Sequence, residues 1–198
     1  MWYKIFRTGC ILFLKLFFRL KIEGRENLPK KSNFIVVANH SSFMDPFVVA
    51  AAIPAKIYCI ASRSLYAFPQ LKWALRKLDC LPTGASSECA IDLLVKNNIV
   101  GLFPEGGISR DGKLRDFKRG AALLAMKTGR PIVPCAISGT FEALPLKARF
   151  PRLVPISITI CKPVFLLKEF EEVIDDTDLQ EGVTRIKNAI KEKLNAKQ

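Results

Sequence analysis

Short apolar runs at 34–38, 56–61, 99–103 and 132–137 alternate with helical patterns, and this alternation limits the folds open to the chain. Apolar runs of that length read as strands buried on both faces, as parallel sheets require. The intervening helices are predicted at Pro46 to Ile53, Leu65 to Leu78 with a break near Pro69, Ser86 to Lys96, and Gly120 to Lys127 ending at Gly129. Ile156 to Cys161 adds a late strand, and residues 23–32, with Gly24 and Pro29, read as a turn region. Leu179 to Leu194 carries apolar residues at helical spacing, and Asp178 with Glu181 can form an acidic capping box before it. The expectation is an α/β fold: a single domain with a largely parallel central sheet flanked by helices.

A chain of 198 residues, 49% hydrophobic, can build one full core. Its net charge of +13 points to anionic partners: a phospholipid surface, a phosphorylated substrate, an acidic carrier protein or nucleic acid. Nucleic acid fits poorly, because no recognised module appears and no aromatic-interleaved basic stripe lies outside the N-terminus. The cysteines at 10, 59, 80, 89, 135 and 161 form no C-x-x-C pair, and there is one histidine. Neither a metal site nor a disulfide framework is expected.

The N-terminus is a second signal. From Trp2 to Leu20 the longest uncharged run is Thr8 to Leu14, far short of the roughly 20 apolar residues that span a bilayer. On a helix, Lys4, Arg7, Thr8, Lys15 and Arg19 share one stripe, while Trp2, Phe6, Phe13, Leu16, Phe17 and Leu20 cover most of the remainder. This pattern fits an amphipathic helix lying in an anionic membrane interface, with residues 1–24 as the membrane-associating segment and 25–198 as the domain. A signal peptide is the competing reading, weakened by Lys15 and Arg19 within the apolar stretch. A helix packed on the domain's own core is another.

The single histidine, His40, precedes Asp45 by five residues in Asn39-His40-Ser41-Ser42-Phe43-Met44-Asp45-Pro46. Imidazole can take and return a proton near neutral pH, and a carboxylate on one ring nitrogen orients it as a general base. Equally, His40 can be a turn residue and Asp45 a helix N-cap before Pro46 at N1. If the strands are parallel, His40, Arg63, Glu105 and Ser138 all emerge at one sheet edge, where open α/β sheets bind ligands. A further segment, Phe103-Pro104-Glu105-Gly106-Gly107-Ile108-Ser109-Arg110, puts two glycines at a strand end, where backbone N–H groups can approach an anion. Arg110, Lys113, Arg115, Lys118 and Arg119 crowd the same region.

The N-H-x-x-x-x-D segment, the later F-P-E-G, and Pro131-Ile132-Val133-Pro134, in this order over about residues 25–165, resemble the glycerolipid acyltransferase family. The resemblance implies acyl transfer from acyl-CoA or acyl carrier protein to a glycerophospholipid hydroxyl, most closely that of a lysophosphatidate. It implies His40 and Asp45 as the catalytic pair and places Glu105 and Gly106 on the family's acid-glycine pair. The family's usual threonine and arginine are here Gly107 and Ile108, and its lysine and glutamate near the second strand are Ser62 and Ser64. Acceptor binding then falls to Glu105, Gly106, Gly107, Arg63, Arg110 and Lys118, with Arg110 the first candidate for a phosphate.

No G-x-S-x-G elbow is present, so direct attack by the acceptor hydroxyl is expected, without a cofactor. Backbone N–H groups near Gly106 or at the Pro46 helix start are candidates for holding the oxyanion. The partners implied are a phospholipid membrane surface, the thioester donor and a lysophospholipid, at the cytoplasmic face of the cell membrane. The other readings are acyl transfer to a different lysolipid acceptor, a thioester hydrolase using the same pair, and a non-catalytic basic lipid- or nucleic-acid-binding protein.

Overall fold

In the computed structural model, residues 2–30, 33–84, 86–166 and 174–196 are described, so residues 31–32 of the turn region lie outside them. Chain order is α1 (Trp2–Phe18), β1 (Lys21–Glu23), β2 (Ile35–Ala38), α2 (Asp45–Ala52), β3 (Ile57–Ala61), α3 (Pro69–Lys77), β4 (Leu81–Pro82), α4 (Ser86–Val95), β5 (Ile99–Leu102), α5 (Gly120–Thr128), β6 (Ile132–Ser138), α6 (Thr140–Ala143), β7 (Ser157–Ile160) and α7 (Asp176–Asn195). Short 3₁₀ turns lie at Arg25–Asn27 and Arg63–Ala67.

Among the described residues, seven strands form one sheet in the order β1-β7-β6-β2-β5-β3-β4. β2, β3, β4, β5 and β6 run parallel, whereas β7 lies antiparallel to β6 and carries β1 beside it in its own direction. The apolar runs alternate between two cores. Ile35 and Val37 face α4, α5 and α7, while Val36 and Ala38 face α1 and α2. Residues pointing to both faces are apolar because helices cover both faces.

The differences from the expected pattern are local. Lys21–Glu23 pairs with Ser157–Thr159 as an edge strand, although the turn region was expected to begin at Glu23; three residues are too few to show a period. The capping box of α7 uses Asp175 as N-cap and Asp178 as its N3 partner, three residues earlier than Asp178 with Glu181. Asp45 is the first residue of α2, and Met44, not Asp45, is the N-cap. Its carboxylate is thereby free to turn back toward the preceding loop.

α1 serves two surfaces. Cys10, Leu14 and Phe18 are buried in the core that holds α2 and β7. Arg7 does not share the outward basic stripe: its Nε donates to Ile53 O at 2.8 Å and its Nη2 to Ala51 O at 3.4 Å, covering the C-terminal carbonyls of α2. The packed reading thus describes one stripe. Trp2, Ile5, Leu12, Phe13, Leu16 and Phe17 remain exposed on the rest of the helix, beside Lys4 and Lys15. Among the described residues, no helix is long and apolar enough to cross a membrane.

This division gives a direct test by denaturant unfolding. Leu14→Ala, at a position only 1% exposed, should cost about 2–5 kcal/mol, the usual penalty for emptying a core site. Leu16→Ala, at 76% exposure on the same helix, should stay within about 0.5 kcal/mol of the parent. Equal losses would mean that α1 does not pack through this stripe.

Candidate active site

The C-terminal ends of β2 and β5 deliver the His40 loop and the Glu105 loop to one edge of the sheet. Asn39, the last residue before His40, locks the β2 end to β6. Its Nδ2 donates to Ile137 O at 2.9 Å and its Oδ1 accepts from Ile137 N at 2.8 Å, so the side-chain amide extends the sheet as a peptide would. Asn39 was not singled out from the sequence.

Beyond Asn39 the chain wraps around one carboxylate. Asp45 Oδ2 lies 2.9 Å from His40 Nδ1 and accepts from Ser41 N at 2.7 Å and Ser42 N at 2.8 Å. A carboxylate accepts only, so in the neutral imidazole the ring hydrogen sits on Nδ1 and Nε2 keeps its lone pair. Asp45 is fully buried, whereas the His40 side chain is 15% exposed, enough for one edge of the ring to meet a ligand. The ring stacks on Phe103 at 4.1 Å between centroids, with planes 22° apart. Packing on one face and the carboxylate at Nδ1 leave the imidazole little freedom to turn.

The β5 loop holds the His40 main chain from both sides. His40 N donates to Glu105 Oε1 at 2.8 Å, and Ser109 N donates to His40 O at 2.8 Å. The other Glu105 oxygen accepts from Arg115 N at 3.3 Å. Burial pushes the Glu105 carboxyl above its ordinary value, while the N–H groups of His40 and Arg115 oppose the shift. The sequence reading counted Glu105 among the acceptor ligands. In the structure each of its oxygens accepts from a backbone N–H, which ties the Glu105 carboxylate to the His40 main chain.

Neither neighbouring serine is free to act as a nucleophile. Ser41 Oγ pairs with Thr140 Oγ1 at 3.1 Å, and Ser42 Oγ donates to Leu144 O at 2.7 Å. Cys59 and Cys135 are equally unsuited. Burial pushes the Cys59 thiol up to about 12 and Cys135 higher still, which suppresses the thiolate that reacts.

A model of the Acyltransferase family matches residues 19–138. The chain belongs to this family. It is 33% identical over 138 residues to the chloroplast 1-acyl-sn-glycerol-3-phosphate acyltransferase of Arabidopsis thaliana, covering 65% of this chain and 38% of that one. To the 1-acyl-sn-glycerol-3-phosphate acyltransferase of Bacillus subtilis it is 33% identical over 147 residues, covering 69% and 71% respectively. The crystal structure of the 1-acyl-sn-glycerophosphate (LPA) acyltransferase from Thermotoga maritima superposes with a TM-score of 0.79 at 31% identity, covering 96% of this chain and 78% of that one. The chain spans only 38% to 52% of the Arabidopsis and Borreliella burgdorferi relatives.

The cations predicted around this site separate into distinct groups. Lys118 is drawn back to the glycine turn by its N–H, which donates to Pro104 O at 2.8 Å. Its side chain crosses Gly106, where a Cβ would come within 2.5 Å of Lys118 Cε and Nζ; with φ at +72°, glycine suits this position twice over. Arg115 Nη1 reaches Gly107 O at 3.5 Å. Arg119, by contrast, is committed to Asp176 on α7 at 2.6 Å. Arg110 is exposed, and Arg63 lies exposed at the 3₁₀ turn after β3, its N–H donating to Thr83 Oγ1 at 3.1 Å. Among the described residues, none of the Lys118, Arg115, Arg110 and Arg63 side chains forms an ion pair with a carboxylate.

The grip of Glu105 can be measured. Glu105→Ala leaves the part-buried N–H groups of His40 and Arg115 without this acceptor and should cost about 1–3 kcal/mol in chemical denaturation. Glu105→Gln keeps one acceptor and should fall between that variant and the parent, whereas Arg110→Ala on the exposed turn should stay within about 0.5 kcal/mol. An Ala substitution at Glu105 as mild as the one at Arg110 would show that the tether carries no weight.

Proposed function

We propose that this chain transfers a fatty acyl group from a coenzyme A or carrier-protein thioester to the hydroxyl of 1-acyl-sn-glycerol-3-phosphate, forming phosphatidic acid. The observation that carries this reading is the pairing of His40 Nδ1 with a buried carboxylate beside serines that are both committed elsewhere. A base without a protein nucleophile suits direct attack by an alcohol. Relatives named for this reaction, over most of the Bacillus chain, support the choice of acceptor.

The steps follow from the geometry. His40 Nε2 takes the proton of the acceptor hydroxyl as its oxygen bonds to the thioester carbon. The C–S bond then breaks, and the imidazolium returns the proton to the leaving sulfur. Of the N–H groups considered for the oxyanion, Gly106 N donates to Phe103 O, and Asp45 N and Phe47 N at the helix start donate to Ser42 O and Met44 O. Among the described residues, Gly107 N and Ile108 N have no acceptor, and they are open donors of the turn. The acceptor phosphate is assigned to Lys118, with Arg115 beside it, in place of Arg110.

The exposed apolar face of α1, with Lys4 and Lys15 along its edge, suits the cytoplasmic leaflet of the cell membrane, where such a lipid substrate resides. The whole reading is tested with an acceptor panel, offered with both thioester donors and read by mass spectrometry. Product only with water as acceptor would replace the transferase by a hydrolase.

Removing the base should be the most damaging change. His40→Ala should lower kcat by about 10²- to 10⁴-fold while the unfolding midpoint holds, and retention of more than about a tenth of the rate would reject the pair. Lys118→Ala should raise KM for the phosphorylated acceptor by about tenfold with little change in donor KM, as expected for lost ground-state binding. If Arg110→Ala has that effect and Lys118→Ala does not, the phosphate lies on the outer part of the turn.

A further inference from the structure

Residues 147–153, Lys-Ala-Arg-Phe-Pro-Arg-Leu, are exposed without interruption, and Phe150 and Leu153 are 73% and 68% accessible. From Ala143 to Lys168 the sequence contains no acidic residue, while Lys147, Arg149 and Arg152 all lie within the exposed stretch. The stretch has a defined backbone. Ala148 N donates to Pro145 O at 2.8 Å, Arg152 N to Ala143 O at 2.7 Å and Val154 N to Arg152 O at 2.9 Å. Leu144 and Val154 at its two ends pack against the core that holds α1 and α2. Two apolar side chains of the loop therefore point inward, and two large ones are held in solvent with nothing to cover them.

The loop belongs to the catalytic edge. It joins β6 to β7, which are antiparallel, so both its ends lie at the side of the sheet where β2 presents His40. Thr140 and Leu144, just before the loop, bond to Ser41 and Ser42 of the His40 segment. Immediately after it, Ile156 N donates to Phe18 O at the end of α1.

We propose that this loop is a second membrane contact, in which Phe150 and Leu153 enter the interface of an anionic leaflet while Lys147, Arg149 and Arg152 meet lipid headgroups. Charge and shape favour this partner together. Cations alone would suit an acidic carrier protein as well, but two apolar tips among them, with the Arg149 guanidinium 5.7 Å from the Phe150 ring, match side chains that bury their stems and keep their charges at the headgroups. The contact would set the mouth of the His40 site against the lipid that supplies the acceptor. It adds to the membrane reading of α1 and rests on that reading only in taking the enzyme to work at a leaflet.

The experiment compares the parent, Phe150→Ser/Leu153→Ser and Arg149→Gln/Arg152→Gln in vesicle sedimentation, with phosphatidylglycerol-containing and pure phosphatidylcholine vesicles. Thermal unfolding in parallel identifies any variant that fails to fold, in which case single Phe150→Ser and Arg149→Gln replace the pairs. The apolar pair should weaken binding to anionic vesicles by about tenfold or more. The charge pair should weaken it by about fivefold per cation removed, and leave binding to neutral vesicles unchanged. Parent-like binding by both variants overturns the loop contact while leaving α1 as the anchor. A parent that binds no vesicles overturns both. Parent-like vesicle binding with a rate lost only on the carrier-protein donor would make the loop a carrier-docking site and also overturn the proposal.

Discussion

Three N–H groups converge on one oxygen of Asp45, from His40 Nδ1, Ser41 and Ser42, and the catalytic edge is built around that convergence. The carboxylate is fully buried, and all three contacts meet Oδ2, while Oδ1 has no hydrogen-bond partner among the described residues. Placing the carboxylate on the first residue of α2 is what lets it face backward. The same contact that closes the loop orients the imidazole, so loop folding and alignment of the ring are one event. Loss of the Asp45 carboxylate would disturb both together, leaving buried N–H groups without an acceptor.

Around this centre the sheet supplies rigidity from two directions. Asn39 ties the β2 end to β6, and Glu105 with Ser109 ties the His40 main chain to the loop after β5. Neighbouring strands on both sides of β2 thus hold a single residue. These tethers use side-chain groups in the manner of peptide groups. A polar residue at the end of a buried strand can continue the ladder where the backbone itself turns away.

The parallel strands were legible because both their faces are covered, which leaves a continuous apolar run such as Ile35 to Ala38. His40 and Asp45 were legible because their separation matches a turn into a helix start. The orientation of β7 was not, since Ile156 to Cys161 reads alike in either direction and only its pairing with β6 decides. Lys118 lies twelve residues beyond Gly106 in sequence, and only the bond from Lys118 N to Pro104 O brings it back to the glycine turn. Arg7 illustrates the same limit. Its place on a helical wheel put it with Lys4 and Lys15, and only the carbonyls at the end of α2 explain why it turns inward.

The junction between α1 and the sheet has a kinetic meaning. Leu20 N bonds to Leu14 O, Lys21 N to Ile156 O and Ile156 N to Phe18 O, so the chain passes from helix to sheet without slack. A surface that captured α1 would capture the orientation of the whole sheet with it. The remaining search for a lipid would then be lateral diffusion and spin about one axis, with tilt already settled. Encounter with a lipid in that surface would become a two-dimensional problem whose approach angle is written into the fold.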